Sequence, residues 1–389
     1  MKLLTTNQIH VVCCDGKYYN ASDAIINYDY MTRYTQYCPD VTALVRCRDV
    51  DRVEPSYGRV DGPNVSVCPL PDPTTPLKGL LGLPGLIRHI VQAARRSDLY
   101  YLKMPDAMAT VVGLVLWCTG RPYAVEVVAD CQQGILYAKG DMPLVRFYAQ
   151  LFDGLTRFLV KRAQCATYIS NYLQKRYPGP GIDREWLFCS VELTDDFMGD
   201  IKAPEFFKTT PFKLIAAGRQ SAEKGHIHLV NAFQTIQEKA KQPVELHLLG
   251  DGAQRACLKQ RVRELQLTDS VYFHGTVPRG PDLFAHLDTA QLYVLPSLTE
   301  GMGRGLIEAM ARGLPCVASA VGGVPEYLGQ DYLFESGDPQ AIAAKVLSVM
   351  DDPHRLAAMS QHNIDASQAY TPEALKAVKE DFWRAVKEL

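Results

Sequence analysis

Short runs of β-branched and other apolar residues alternate along the whole chain with helical stretches of ten or more residues. This is the arrangement of parallel sheets covered by helices, and it predicts an α/β protein. The second half keeps the rhythm clearly. Strands are predicted at 212–217 (FKLIAA), 244–249 (VELHLL), 271–273, 291–295 (QLYVL) and 315–318, with helices over 226–239, 254–265, 281–287, 304–312 and 340–350. In the first half the strands fall at 9–13, 42–46, 65–69, 99–102, 123–128 and 167–170, and the helices at 85–96, 108–118 and 144–163. Pro204 and Pro211 bracket a linker ahead of the strand at 212, so the chain divides into residues 1–205 and 206–371. A last helical pattern, 372–389, lies beyond the strand series and needs a surface to cover.

Composition narrows the partners. With 389 residues, 47% hydrophobic and 22% charged, the chain has material for two sizeable cores. A net charge of −2 argues against a nucleic-acid partner, because surfaces that track phosphates need a basic excess. The eleven cysteines are scattered, with no C-x-x-C spacing for zinc or a redox dithiol, and read as the reduced thiols of a cytoplasmic protein. Residues 1–10 read as a strand carrying Asn7 and Gln8, not as a secretory leader. The longest apolar stretch, 107–118, falls short of the roughly 20 residues that span a bilayer.

Candidate chemistry is concentrated where strands end. Residues 297–315 run from a strand through Glu300-Gly301-Met302-Gly303 into a helix carrying Glu308, closed by Gly313. Gly301, Gly303 and Gly305 let backbone amides approach a ligand, and the helix start adds unpaired N–H groups, so an anionic oxygen is the natural guest. The strand at 212–217 ends in Gly218-Arg219, with Lys224 and Gly225 following. Gly250-Asp251-Gly252 and His274-Gly275 close two further strands. Ligands of doubly wound sheets collect at strand C-termini, so Arg219, Lys224 and the 300 loop are expected on one rim that suits a diphosphate. Taken singly, each of these residues is as readily a solvated surface group.

This constellation resembles the retaining GT-B glycosyltransferases, in particular family 4. The match lies between residue 212 and about 332: two glutamates separated by seven residues (Glu300, Glu308), G-R-x4-K (Gly218, Arg219, Lys224), and G-G-x-P-E (Gly322, Gly323, Pro325, Glu326). The resemblance implies two Rossmann-like domains facing each other across a cleft, an acceptor-binding one followed by a donor-binding one, with the final helix returning to the first. It also implies roles. Arg219 and Lys224 hold the donor diphosphate, Glu308 binds the ribose, and Glu300 with the amides of Gly301, Met302 and Gly303 holds the transferred sugar, with Gly218, Gly250 and Gly252 on the donor rim. Neither a metal nor another cofactor is required, since the cations and the helix start neutralise the leaving group.

The first half departs from the family. Its expected glycine-rich loop is replaced by Cys13-Cys14-Asp15-Gly16-Lys17-Tyr18, which makes Asp15, Gly16 and Lys17 acceptor-side candidates. A histidine common after the mid-domain strand is absent, and Glu126 and Asp130 stand there instead, as acceptor contacts or as caps of the next segment. The resemblance, closest to bacterial exopolysaccharide and lipopolysaccharide enzymes, implies a hexosyltransferase that moves a sugar from a nucleotide diphosphate sugar, UDP-sugar being the commoner donor. The acceptor is a glycan or a polyprenyl-diphosphate-linked glycan. The basic, aromatic-rich stretch 142–178 is a candidate for peripheral attachment to the anionic inner face of the plasma membrane, and residues 77–96 are a second, broken by Pro84 and Gly85. The rival readings are a non-catalytic sugar-nucleotide-binding protein and a GT-B epimerase or phosphorylase. A dinucleotide oxidoreductase would need G-x-G-x-x-G after the first strand, which Cys13–Tyr18 lacks.

Overall fold

The computed structural model of the protein describes residues 1–21, 26–54, 57–71, 76–188 and 191–389, with side chains left aside at residue 8 and at 76–81. Two sheets form. The first contains β1 (Lys2–Cys14), β2 (Lys17–Asn20), β3 (Asp40–Asp49), β4 (Gly58–Arg59), β5 (Val65–Pro71), β6 (Leu99–Met104), β7 (Ala124–Val127), β8 (Cys165–Tyr168) and β9 (Glu185–Leu187). Its parallel body runs β5-β3-β1-β6-β7-β8-β9, and β2 with β4 adds an antiparallel arm beside the distal half of β1.

The second sheet contains β10 (Phe212–Ala217), β11 (Val244–Leu249), β12 (Val271–Gly275), β13 (Leu292–Leu295), β14 (Cys316–Ser319) and β15 (Leu333–Phe334), all parallel, in the order β12-β11-β10-β13-β14-β15. Each order reverses once, between β1 and β6 and between β10 and β13. At such a reversal neighbouring crossovers leave to opposite faces, and a crevice opens outside the strand C-termini.

Both faces of each sheet are covered, which explains why central strands such as FKLIAA are continuously apolar instead of alternating. In the second unit, one face packs Phe212, Leu214 and Leu246 against the helix His226–Lys239 through Leu229, Phe233 and Ile236. The other face packs Ile215, Tyr293 and Leu295 against Leu306, Ala309 and Met310 of the helix Arg304–Ala311. In the first unit, Leu102, Val125 and Val127 pack under the helices Ala107–Cys118 and Pro143–Arg162. Its opposite face is closed by the helix Pro372–Lys387, whose Phe382 and Trp383 lie against Tyr34, Tyr101, Trp186 and Phe188.

Three expectations change. Pro84 and Gly85 do not interrupt the helix Pro76–Arg95, which runs through them. A proline removes one backbone hydrogen bond, and the later half of this helix is anchored by buried Ile90, Ala93 and Ala94; the side chains of residues 77–81 in the same stretch lie outside the described residues. The helices Cys131–Lys139 and Pro353–Ser367 were not expected from the pattern. The chain also changes partner earlier than residue 205: Val191, Leu193 and Phe197 pack with Phe284, Met302 and Ile307 of the second unit.

Candidate functional site

The crevice outside β10 and β13 is a cavity of ≈570 Å³ lined by Gly218, Arg219, Lys224, Gly250, Glu300 and Glu308, within the usual range for small-molecule sites. Sequence explains how its floor forms. Gly250 presses on the carbonyl of Gly218 where any Cβ would collide, so two strand ends meet without side chains between them. Gly225 has φ of 64° and turns the chain under Pro296, which aims Lys224 at the 300 loop.

Lys224 Nζ donates to Glu300 Oε1 at 2.6 Å, and Ser297 Oγ donates to the same oxygen at 2.8 Å. One helical turn into Arg304–Ala311, buried Glu308 accepts from Arg279 Nε at 2.8 Å and Arg304 Nε at 3.1 Å. The Arg279 guanidinium also lies 4.1 Å over the Phe197 ring, and its burial lowers its basicity. Arg219, Lys224, Arg279 and Arg304 therefore line, together with Glu223, Asp251, Glu300 and Glu308, a cavity at a helix start, where cations and helix amides can receive a polyanion and carboxylates a hydroxyl-bearing group.

The other crevice, outside β1 and β6, belongs to a second cavity of ≈610 Å³ that shares Arg219, Glu223, Lys224 and Glu300 with the first. It is lined on the N-terminal unit by Asn7, His10, Arg46, Asp106 and Asp130, among others. Here β1 does not stop at the crevice. Thr6 pairs with Leu44 and His10 with Arg46, so residues 7–9 bulge opposite Val45 before the strand continues. The bulge turns Asn7 to the cavity at 4% exposure, with its Oδ1 lacking a hydrogen-bond partner among the described residues. Asp106 caps the helix Ala107–Cys118 through Ala109 N at 2.9 Å, and its carboxyl is held above the usual range by burial, against that amide bond and Arg46.

The two units meet around the 300 loop. Gly301 sits against the carbonyl of Val128 and the side chain of Ile169, and a Cβ on Gly323 would come within 2.6 Å of Ser170 Cβ. The Glu326 carboxylate accepts from Asn171 N (2.8 Å), Asn171 Nδ2 (2.9 Å) and Tyr172 N (2.7 Å). Tyr172 Oη in turn donates to Asp130 Oδ2 at 2.9 Å.

The structure thus brings Gly218, Arg219, Lys224, Gly250, Glu300 and Glu308 to one rim, with Gly301 at the neighbouring cavity and Gly303, left-handed at φ of 84°, as the helix cap. Gly252 is pressed on Gln220, and the Met302 side chain belongs to an apolar cluster with Phe197 and Ile307; neither lines the cavities.

On the acceptor side the expectations fare differently. Asp15 and Gly16 are the tip of the β1–β2 hairpin, both at positive φ, and with Lys17 they line neither cavity. The cause is that β1 runs beyond its crevice. Glu126 points to the opposite face of β7, where it pairs with Lys103 at 3.3 Å beneath the final helix, because residues 125 and 127 take the cleft-side core. Asp130 does line the cavity, but its carboxylate is engaged as the cap of Cys131–Lys139 (Gln133 N, 3.1 Å) and with Tyr172 and Arg176.

Residues not anticipated are Asn7, Asp106, His226, Arg279 and Arg304. Arg304 carried a readable signal, four positions before Glu308 on one helix. Asn7 also carried one, as a polar break inside an apolar strand. Arg279 had none.

Two parallel α/β units with a cavity between them, and a cation-and-acid site of the second unit opening beside it, form the GT-B fold. Residues 198–365 match the family described as glycosyl transferases group 1. The chain is 21% identical to Protein CapJ of Staphylococcus aureus over 99% of its own length and 98% of that protein. It is 29% identical to the putative colanic acid biosynthesis glycosyltransferase WcaL of Escherichia coli, over 58% of this chain and 54% of that one. Among solved structures, Anabaena HepE in complex with UDP-glucose superposes with a TM-score of 0.68 at 20% identity, covering 100% of both chains. The match to the group 1 glycosyl transferases lies in the second unit and the short stretch that leads into it.

Proposed function

We propose that the protein transfers a hexosyl group from a nucleotide diphosphate sugar, UDP-sugar first, to a hydroxyl of a glycan or polyprenyl-diphosphate-linked glycan. Transfer retains the anomeric configuration and needs no metal. The setting is assembly of a bacterial surface polysaccharide on the cytoplasmic side of an anionic membrane surface. The observation that carries this reading is the convergence of Arg219, Lys224, Glu300 and Glu308 at the β10/β13 crevice, open to a second cavity from the facing unit. The UDP-glucose held by HepE and the polysaccharide role in the name of WcaL support it.

The chemistry follows from the charges. The Lys224–Glu300 pair satisfies both groups, and a donor diphosphate draws Lys224 away and leaves Glu300 to the sugar hydroxyls. As the bond from the anomeric carbon to the phosphate oxygen breaks, Arg219 and Lys224 take up the growing negative charge. The acceptor oxygen, entering from the 610 Å³ cavity, bonds the same face of that carbon and passes its proton to the departing diphosphate oxygen.

The test is incubation of purified protein with UDP-sugars and a glycan acceptor panel, with the product's anomeric configuration read by NMR and the assay repeated in a chelator. Product of the donor's configuration, undiminished by chelation, is expected. Inverted product overturns retention, loss in chelator overturns metal independence, and donor binding without turnover leaves a sugar-nucleotide-binding protein.

A further inference from the structure

The N-terminal wall of the 610 Å³ cavity carries a charge that the fold itself leaves without a counter-ion. Arg46 follows the buried run Val41–Val45 in β3 and is half-buried between β1 and β5, where it pairs in register with His10 and Leu70. The bulge at residues 7–9 brings His10 beside Arg46, and both line the cavity. A guanidinium drawn partly out of water is costly unless an acid or a ligand stands against it. Among the described residues Arg46 makes no ion pair and no side-chain hydrogen bond.

The two acids of the same wall are engaged elsewhere. Asp106 is near enough for Arg46 to pull its carboxyl pKa down against burial, yet its oxygen accepts from Ala109 N at 2.9 Å and no ion pair joins the two. Asp130 caps the helix Cys131–Lys139 and pairs with Arg176. Asn7, in the bulge opposite Val45, is a second group left over. Its Nδ2 donates to Met31 Sδ at 3.6 Å, and its Oδ1, in a side chain 4% exposed on the cavity wall, has no partner among the described residues.

A cation lacking an acid and a carbonyl oxygen lacking a donor, next to each other on one wall, suit a guest that brings both a carboxylate and a hydroxyl. The local charges select between anions. One guanidinium holds a planar carboxylate through two parallel N–H bonds, whereas a phosphate dianion or a diphosphate would bring excess negative charge against Asp106 and Asp130. We propose that Arg46, with Asn7, makes the protein selective for an acidic sugar, a uronic acid or a relative of one, with the carboxylate on the guanidinium and a hydroxyl on Asn7 Oδ1. Lys224 and Glu300 line the same cavity from the facing unit, so a sugar held at Arg46 shares its space with the donor site. That this sugar is the acceptor rests on the transfer reading; the carboxylate site does not.

The methyl glycosides of glucuronic and galacturonic acid, those of glucose and galactose, and glucose 6-phosphate are titrated into the full-length protein with UDP present, and binding is read by calorimetry and ligand-observed NMR. At least one uronoside should bind about tenfold or more tightly than its neutral counterpart, by a margin that salt reduces. Arg46→Gln should bring that pair to parity, and Arg46→Lys, which keeps the charge without the fork, should restore part of the preference. Both variants should keep the thermal shift that UDP gives the wild type. Equal binding within both pairs by the wild type, or a preference that survives in Arg46→Gln, overturns the site; should Arg46→Gln not fold, the wild-type ratio and Arg46→Lys decide. Glucose 6-phosphate bound more tightly than either uronoside overturns the carboxylate and makes the anion a phosphate. With the same sugars as acceptors, kcat/KM should follow the order of binding. Uronoside binding without transfer from any UDP-sugar would count against the transfer reading alone.

Discussion

The two crevices of this molecule are built by one rule and look unlike each other. Both lie at the reversal of a doubly wound parallel sheet. In the C-terminal unit the strands end at the crevice in glycine turns, and the charged residues there come already paired: Lys224 with Glu300, and Arg279 and Arg304 with Glu308. In the N-terminal unit β1 passes through its crevice as a bulge and ends in a distant hairpin, and the cavity receives an Asn7 oxygen that has no partner among the described residues. A donor site that must release a diphosphate needs charge held in reserve. An acceptor site that orients a neutral hydroxyl needs hydrogen-bonding atoms left over.

The largest effect should come from the paired side. Lys224→Ala removes one of the two cations that reach both cavities, and a loss of about 10³ in kcat is expected, on the scale of deleting one stabilising charge from a transition state. The lysine side chain is 29% exposed and lies outside the cores, so the thermal midpoint should stay close to wild type. Undiminished turnover in the folded variant would break the assignment of the paired crevice to the donor.

His226 sharpens the same side through stability. It opens the helix His226–Lys239, is 4% exposed at the cavity outside β10 and β13, and its Nδ1 lacks a partner among the described residues. Burial and then Lys224 push its pKa from 6.5 down to about 4, against Glu223. The unfolded chain therefore binds a proton below pH 6.5 that the folded protein refuses until about pH 4. This contribution is complete above pH 6.5 and is lost as pH falls towards 4, to a total of about 3 kcal/mol. Denaturant titrations at both ends of that window should show His226→Gln losing less stability on acidification than wild type; equal losses would mean that the imidazole is not buried neutral.

How far each crevice was legible follows from the same contrast. FKLIAA, VELHLL and the run from Ser297 to Pro315 each hold strand, turn and helix start in contiguous residues, so local pattern placed Arg219, Lys224, Glu300 and Glu308 together. The N-terminal crevice depends on where a strand stops being central, and the polar run Thr5-Thr6-Asn7-Gln8 marks a break in the strand without saying which of its residues faces a cavity. Asp15-Gly16 was legible only as a hairpin turn, which is what it forms. Glu126 and Asp130 are both acids after an apolar strand; which one reaches the cavity depends on the face of β7 and on Tyr172 and Arg176, about forty residues away. Arg279 enters from a loop whose local sequence says nothing of Glu308.

Asn7 tests the unpaired side directly. Asn7→Ala should raise the acceptor KM about tenfold, the worth of roughly one buried hydrogen bond, and leave the donor KM unchanged. Asp15→Ala and Lys17→Ala, at the hairpin tip, should leave both constants at wild type. The opposite pattern would move the acceptor site to the hairpin and dissolve the contrast between the crevices.

The smallest effect belongs to the joint between the sides. Glu326 sits just after the 300 loop's glycine neighbours Gly322 and Gly323, and its carboxylate holds three donors at the start of the helix Asn171–Arg176. That helix carries Tyr172, which fixes Asp130, the cap of one wall of the 610 Å³ cavity. Glu326 therefore joins the 300 loop to that wall without lining either cavity. Its bonds are exposed to solvent, so each is weak, and Glu326→Gln, which keeps an acceptor oxygen, should cost about 1 kcal/mol or less. An acceptor KM raised about threefold for Glu326→Gln and further for Glu326→Ala, with donor binding by thermal shift unchanged, is expected. If donor binding falls in step with acceptor binding, the joint serves closure of the whole cleft, and the two crevices are less independent than their construction indicates.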